Sequence, residues 1–150
     1  MNNIVFFDGI CNLCNSSVNF IIDHDTKRVF KFTALQSKFS QKFFYSPLQH
    51  FKYFSNSGII SLTEDQQNLF TKLNSILYLE DDIFYMKSDA VLQIARNLDG
   101  FLKYLYWLKI IPRPIRDFIY DWIAKNRYSW FGKKESCRIP TPELKSRFID

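Results

Sequence analysis

The stretch FFDGICNLC, residues 6–14, sets one acid and two cysteines directly behind a run of large apolar side chains. Cysteine attacks disulfides and binds metals as the thiolate, so the first question is what environment would generate one. At a helix N-terminus, unpaired backbone amides and the positive end of the helix dipole both lower a thiol's pKa. Cys11 stands at that position if a helix opens behind it. Cys14 then lies about one turn further along, where it can attack a mixed disulfide formed on Cys11. The spacing thus supplies an attacking thiol, Cys11, and a resolving thiol, Cys14. Asp8, just ahead of the pair, could carry a proton to or from Cys14, or serve the turn as a capping carboxylate.

Other chemistry fits the pair less well. Two cysteines at this spacing are half of a structural zinc site. The other half is hard to find, because Cys137 is alone in ESCRIP and His24 and His50 stand singly. No metal or other cofactor is therefore expected. Two buried thiols that merely pack are a further reading. Three cysteines are an odd number for a disulfide framework. The beginning MNNIVFFDG lacks the basic-then-apolar pattern of a secretory signal, and FLKYLYWLKIIP, broken by Lys103 and Lys109, is too short and too charged to span a bilayer. A cytoplasmic location is expected, where thiols are kept reduced and a close pair is more readily functional than structural.

The flanking pattern indicates how such a pair would be held. IVFF at 4–7 is a continuous apolar run closed by Asp8-Gly9, which suits a strand buried on both faces. Cys14, Val18 and Ile21 then recur at helical spacing. VFKFTAL at 29–35 alternates as a second strand, with Phe30, Phe32 and Ala34 on one side. From 36 to 74 the pattern is ambiguous: a helix broken at Pro47 or a helix and a loop, with a short strand somewhere in SGIISLTEDQQN. SILYL and IFYM around Glu80-Asp81-Asp82 read as a hairpin. Ser88 is a natural N-cap for a helix through Leu98, and Gly100 ends it. Residues 101–111 form another short helix. Pro114 opens an amphipathic helix whose apolar face is Ile115, Phe118, Ile119, Trp122 and Ile123, and residues 127–150 read as irregular. A parallel pair joined to an antiparallel hairpin, with helices on both faces, is an α/β, thioredoxin-like arrangement around a central mixed sheet of about four strands. That fold places its redox pair where Cys11 and Cys14 stand.

The length of 150 residues suits one domain, 1–150, with a helical C-terminal extension from about 101. With 47% apolar and 23% charged residues the chain falls outside the composition of disorder. The net charge of +5 is unevenly spread: residues 101–150 hold eleven Lys or Arg against five Asp or Glu. Such a third could meet an anionic surface or a membrane-associated partner, although a solvated face is the simpler reading. No motif that interleaves aromatics with the charge points to nucleic acid.

FFDGICNLCNSSVNFI, FTALQS, KSDAVLQIARNL and RYSWFGKKESCRIP together resemble the DCC family of thiol-disulfide oxidoreductase-like proteins over nearly the whole chain. The resemblance implies a thioredoxin-like fold and disulfide exchange. By position, Cys11 matches the attacking thiol, Cys14 the resolving thiol and Asp8 the family acid, while Arg127, Tyr128, Phe131, Gly132 and Cys137 match its C-terminal signature. Within that signature Arg127 could stabilise a thiolate and Cys137 could act as a third redox partner. The residues before SILYL are TKLN, without the proline that thioredoxin itself presents beside its active site. The expected function is exchange of the Cys11–Cys14 dithiol/disulfide with a disulfide-containing protein or a low-molecular-weight thiol. The alternative is a non-catalytic interaction module that docks on a membrane protein or an anionic surface through its basic, aromatic C-terminal region.

Overall fold

A computed structural model describes residues 3–9, 12–44, 52–55, 58–61, 76–132, 142 and 146–149. In chain order these form β1 (Ile4–Phe7), α1 (Asn12–His24), β2 (Lys31–Ala34), α2 (Lys38–Phe44), β3 (Lys52–Ser55) and β4 (Gly58–Ser61). They continue as β5 (Leu77–Glu80), β6 (Ile83–Met86), α3 (Lys87–Arg96), a 3-10 helix (Gly100–Ile110) and α4 (Arg113–Phe131). The sheet order is β2-β1-β5-β6-β3-β4. β1 lies parallel to β2 and antiparallel to β5, and β5 and β6 form the hairpin. This four-stranded centre is the expected thioredoxin-like α/β arrangement. β3, parallel to β6, and β4, antiparallel to β3, extend it. β3 falls where the sequence left a helix tail or a loop open.

β1 is buried along its whole length because both faces are covered. Val5 and Phe7 meet Val18 and Ile21 of α1 and Ala90 and Ile94 of α3, whereas Ile4 and Phe6 point to Phe44 of α2 and to Leu77 and Phe84. The Phe6 ring lies 5.1 Å from Phe44 and 6.0 Å from Phe84. Removing one such buried ring typically costs about 3–5 kcal/mol. The β5–β6 turn is a two-residue loop in which Asp81 and Asp82 both take positive φ, 46° and 68°. That is the conformation a tight hairpin requires, and Asp tolerates it better than most residues.

Three local expectations give way to tertiary contacts. Ser88 does not cap α3: no side chain caps that helix, and the Ser88 hydroxyl donates to Asp117 at 2.5 Å. α4 runs to Phe131, so residues 127–131 are helical, not irregular. The apolar face expected to pack is turned outward at Ile115, Phe118, Ile119 and Trp122. Polar pairing sets that rotation, because Asp89 near the start of α3 draws in Arg113 at 2.5 Å and Arg116 at 3.2 Å.

Residues 147–149 cover the outer edge of β2: the Phe32 amide donates to Arg147 O and the Ile149 amide to Phe32 O, both at 2.8 Å. Blocking an open edge in this way limits pairing with other chains. Arg147 also pairs with buried Asp25, whose carboxylate accepts the Val29 and Phe30 amides at 3.0 Å. Asp25→Ala, which strands the Arg147 guanidinium, should lower the unfolding free energy by about 3–5 kcal/mol in urea titrations. Adding Arg147→Met should recover part of that loss. A single variant as stable as the wild type would show that this pair does not hold the edge.

Candidate active site

Asp8 follows β1 directly and is buried. Three donors from distant segments converge on its carboxylate. Gln36 Nε2 reaches Oδ1 at 2.9 Å, while Arg127 Nη2 at 3.1 Å and Tyr128 Oη at 2.5 Å reach Oδ2. Gln36 in turn accepts the Gly9 amide at 3.1 Å, which ties the loop after β2 to the turn that leaves β1. Arg127 also donates to Tyr128 Oη at 3.1 Å and lies 4.8 Å from that ring's centre. Burial pushes the Tyr128 phenol above its ordinary pKa, and its bond to Asp8 adds to the shift, while Arg127 opposes it. A buried carboxylate is tolerated only with such partners, and removing one from an ion pair costs about 3–5 kcal/mol.

The end of α4 also meets the beginning of α1. The Asn12 amide donates to Gly132 O at 3.3 Å and its side chain to Phe131 O at 2.7 Å. Asn15 Nδ2 donates back to Gly9 O at 3.1 Å. Gly132 has φ 78°, and a Cβ there would stand 3.3 Å from Asn12 Nδ2, so both backbone and space favour glycine. The backbone amide of Asn12, the first residue of α1, is thus taken by the end of α4.

Cys14 is half-buried on α1 and packs against the core beneath it. It lines a cavity of about 490 Å³ together with Ile21, Ile94, Leu102, Tyr120 and Arg127. That volume lies within the range of small-molecule sites. Tyr120 Oη accepts the Ile76 amide at 3.0 Å. Its phenol is pushed up to about 12, chiefly by burial and also by the charge of a Cys14 thiolate, while the Ile76 bond and Arg127 oppose the rise. Cys14, Tyr120 and Arg127 therefore belong to one electrostatic neighbourhood.

Of the residues singled out in the sequence, Asp8 and Arg127 are joined directly, and Cys14 shares the cavity with Arg127. Cys11 and Cys137 lie outside the described residues. Residue type and spacing do not single out Gln36, Asn12 or Tyr120. Gln36 and Asn12 do fall within the stretches FTALQS and FFDGICNLCNSSVNFI, whereas Tyr120 carried no signal, being on the side of α4 opposite its apolar stripe. Among the described residues no group of three or more His, Cys, Asp or Glu could hold a metal ion. No helix there is long and apolar enough to cross a membrane.

Fold and site together define a thioredoxin-like α/β protein with an acid and a thiol flanking the turn between its first strand and helix. The sequence matches the model of the DCC1-like thiol-disulfide oxidoreductase family over residues 5–65 and 50–133, and the chain belongs to that family. It is 36% identical over 148 residues to the uncharacterized protein YuxK of Bacillus subtilis (strain 168), covering 99% of this chain and 94% of that one. It is also 36% identical over 137 residues to a chloroplastic DCC family protein of Arabidopsis thaliana, covering 91% of this chain and 69% of the relative. No solved structure matches.

The Tyr120 phenol gives a pH signature. Unfolded it ionises near 10 and folded near 12, so between these values the unfolded state binds fewer protons and stability falls as pH rises. Tyr120→Phe should cost about 1–3 kcal/mol at neutral pH by orphaning the Ile76 amide. It should also flatten the alkaline decline by on the order of 2 kcal/mol in urea titrations. An equally steep decline in the variant would show that this phenol is not protected by the fold.

Proposed function

We propose that the chain is a thiol-disulfide oxidoreductase whose Cys11 and Cys14 cycle between dithiol and disulfide. The observation that carries this reading is that Cys14 lines a cavity with Arg127, itself anchored by Asp8 at the end of β1. In the reductive direction the Cys11 thiolate attacks one sulfur of a substrate disulfide. That S–S bond breaks, a mixed disulfide forms and one substrate thiolate leaves, taking up a proton. Cys14, having given up its proton, then attacks the Cys11 sulfur. The second substrate thiol departs and two electrons have passed from the pair to the substrate. Oxidation of a substrate dithiol runs the same steps backwards.

Arg127 favours the thiolate form of Cys14 through its positive charge. Asp8 acts through Arg127 as a positioning residue, since its carboxylate already accepts three hydrogen bonds. The substrate class is a disulfide-containing protein or a low-molecular-weight thiol, with a cytoplasmic setting that keeps the pair reduced at rest. Cys137 is assigned an auxiliary role as a third thiol that can accept the disulfide.

Equilibration in glutathione buffers of graded potential, followed by alkylation and mass measurement, should reveal a reversible two-electron transition of Cys11 and Cys14. Cys14→Ser should accumulate mixed disulfides through Cys11, and Cys11→Ser should trap none. Cys137→Ser should slow turnover without abolishing the transition. No reversible transition in the wild type would overturn the reading, and partners trapped on Cys14 in Cys11→Ser would reverse the two roles.

A further inference from the structure

Helix α4 is oriented against its own sequence pattern. A surface helix ordinarily buries its apolar stripe. Here Ile115, Phe118 and Trp122 are 53%, 73% and 55% exposed. The rotation is fixed by polar contacts on the inner side: Arg116 to Asp89 at 3.2 Å, Tyr120 to the Ile76 amide at 3.0 Å and Arg127 to Asp8 at 3.1 Å. Turning the stripe inward would break all three. The 3-10 helix, which also packs on α3 and joins α4 through Ile111 and Pro112, behaves alike. Leu102 is buried, whereas Phe101, Trp107 and Ile110 are 74%, 68% and 80% exposed. Six large apolar side chains on two consecutive elements are thus left more than half exposed, the kind of open apolar surface that marks an interaction site.

The charge around this surface selects its partner. Lys103, Lys109 and Lys125 are exposed. Lys103 and Lys109 lie 5.4 and 5.3 Å from the rings of Tyr104 and Tyr106. The two acids of α4 are engaged elsewhere, Asp117 by Ser88 and Asp121 by Lys87 at 3.0 Å. Tryptophan and tyrosine mixed with aliphatics, with lysines whose stems can reach past them, is the composition that settles at a lipid headgroup boundary. A second copy of the chain would instead bring like charges face to face.

We infer that the 3-10 helix and the outer stripe of α4 form an in-plane docking face for an anionic lipid bilayer. Leu105, 42% exposed on the 3-10 helix, also lines the Cys14 cavity, so docking would bring the cavity's rim to the bilayer surface. The inference is independent of disulfide exchange. The test is co-sedimentation of the full chain with vesicles of phosphatidylcholine alone, or of phosphatidylcholine and phosphatidylglycerol in equal parts.

Binding to the mixed vesicles should be about tenfold or more tighter than to phosphatidylcholine alone and should weaken with salt. Tryptophan emission should shift to the blue on binding. Trp107→Ser with Phe118→Ser should reduce binding about tenfold or more, while thermal unfolding and cysteine alkylation stay unchanged. Lys103→Glu with Lys109→Glu should do the same. Protein left in the supernatant with both vesicles, or binding undiminished in both variants, would overturn the inference. So would a stable dimer that Phe118→Ser converts to monomer, because a second copy would then cover the stripe.

Discussion

A carboxylate buried at the end of the first strand is the constraint from which much of the structure follows. Asp8 cannot remain away from water without cationic or hydrogen-bonding partners, and the chain supplies them from two places: Gln36 after β2, and the adjacent Arg127 and Tyr128 at the end of α4. Meeting that demand brings the last turns of α4 against the β1–α1 turn. Once there, Phe131 and Gly132 present their carbonyls to Asn12, and the two ends of the family's sequence pattern become one structural unit. The same docking fixes which side of α4 faces inward, assisted by the Asp89 pairs with Arg113 and Arg116 nearer its beginning.

The cost of this arrangement falls on Ile115, Phe118, Ile119 and Trp122 of α4, which polar pairing holds in the open. Its benefit is the cavity. With Tyr120, Ile123, Ala124 and Arg127 directed inward, α4 stands beside α1, α3 and the 3-10 helix as one wall of a largely apolar chamber that Cys14 also lines. A cation at the edge of such a chamber acts on a neighbouring thiolate more strongly than it would in water, since the low local dielectric strengthens the interaction. Asp8 offsets part of that charge, so the ion pair sets both the position of Arg127 and the field it presents.

Features governed by local rules could be read in the sequence. β1 was visible in IVFF because a strand covered on both faces needs an uninterrupted apolar run, and the hairpin in SILYL and IFYM because Asp81-Asp82 is compatible with a tight turn. Asp8, Cys14 and Arg127 were recognisable from spacing or family resemblance. What could not be read depends on partners far away in the chain. The rotation of α4 is decided by Asp8 and Asp89, dozens of residues before it, and periodicity alone predicts the opposite face inward. Ser88 loses its capping role to Asp117, and Arg147 finds Asp25 across most of the sequence. Strand β3 is not legible in the sequence because its few residues lie in an aromatic, lysine-rich segment equally compatible with a helix.

The proposed function requires the Asp8–Arg127 pair to govern the reactivity of Cys14, which lines the same cavity as Arg127. The direct measurement is the rate of alkylation of Cys14 as a function of pH, with Cys11 and Cys137 replaced by Ser. Arg127→Met, Arg127→Lys and Asp8→Asn are then compared in that background. Arg127→Met should slow alkylation at neutral pH by about tenfold, Arg127→Lys should retain most of the rate, and Asp8→Asn should accelerate it. Superimposable profiles for all of them would contradict this requirement, leaving the ion pair as a clamp between helix and strand with no hold on the chemistry.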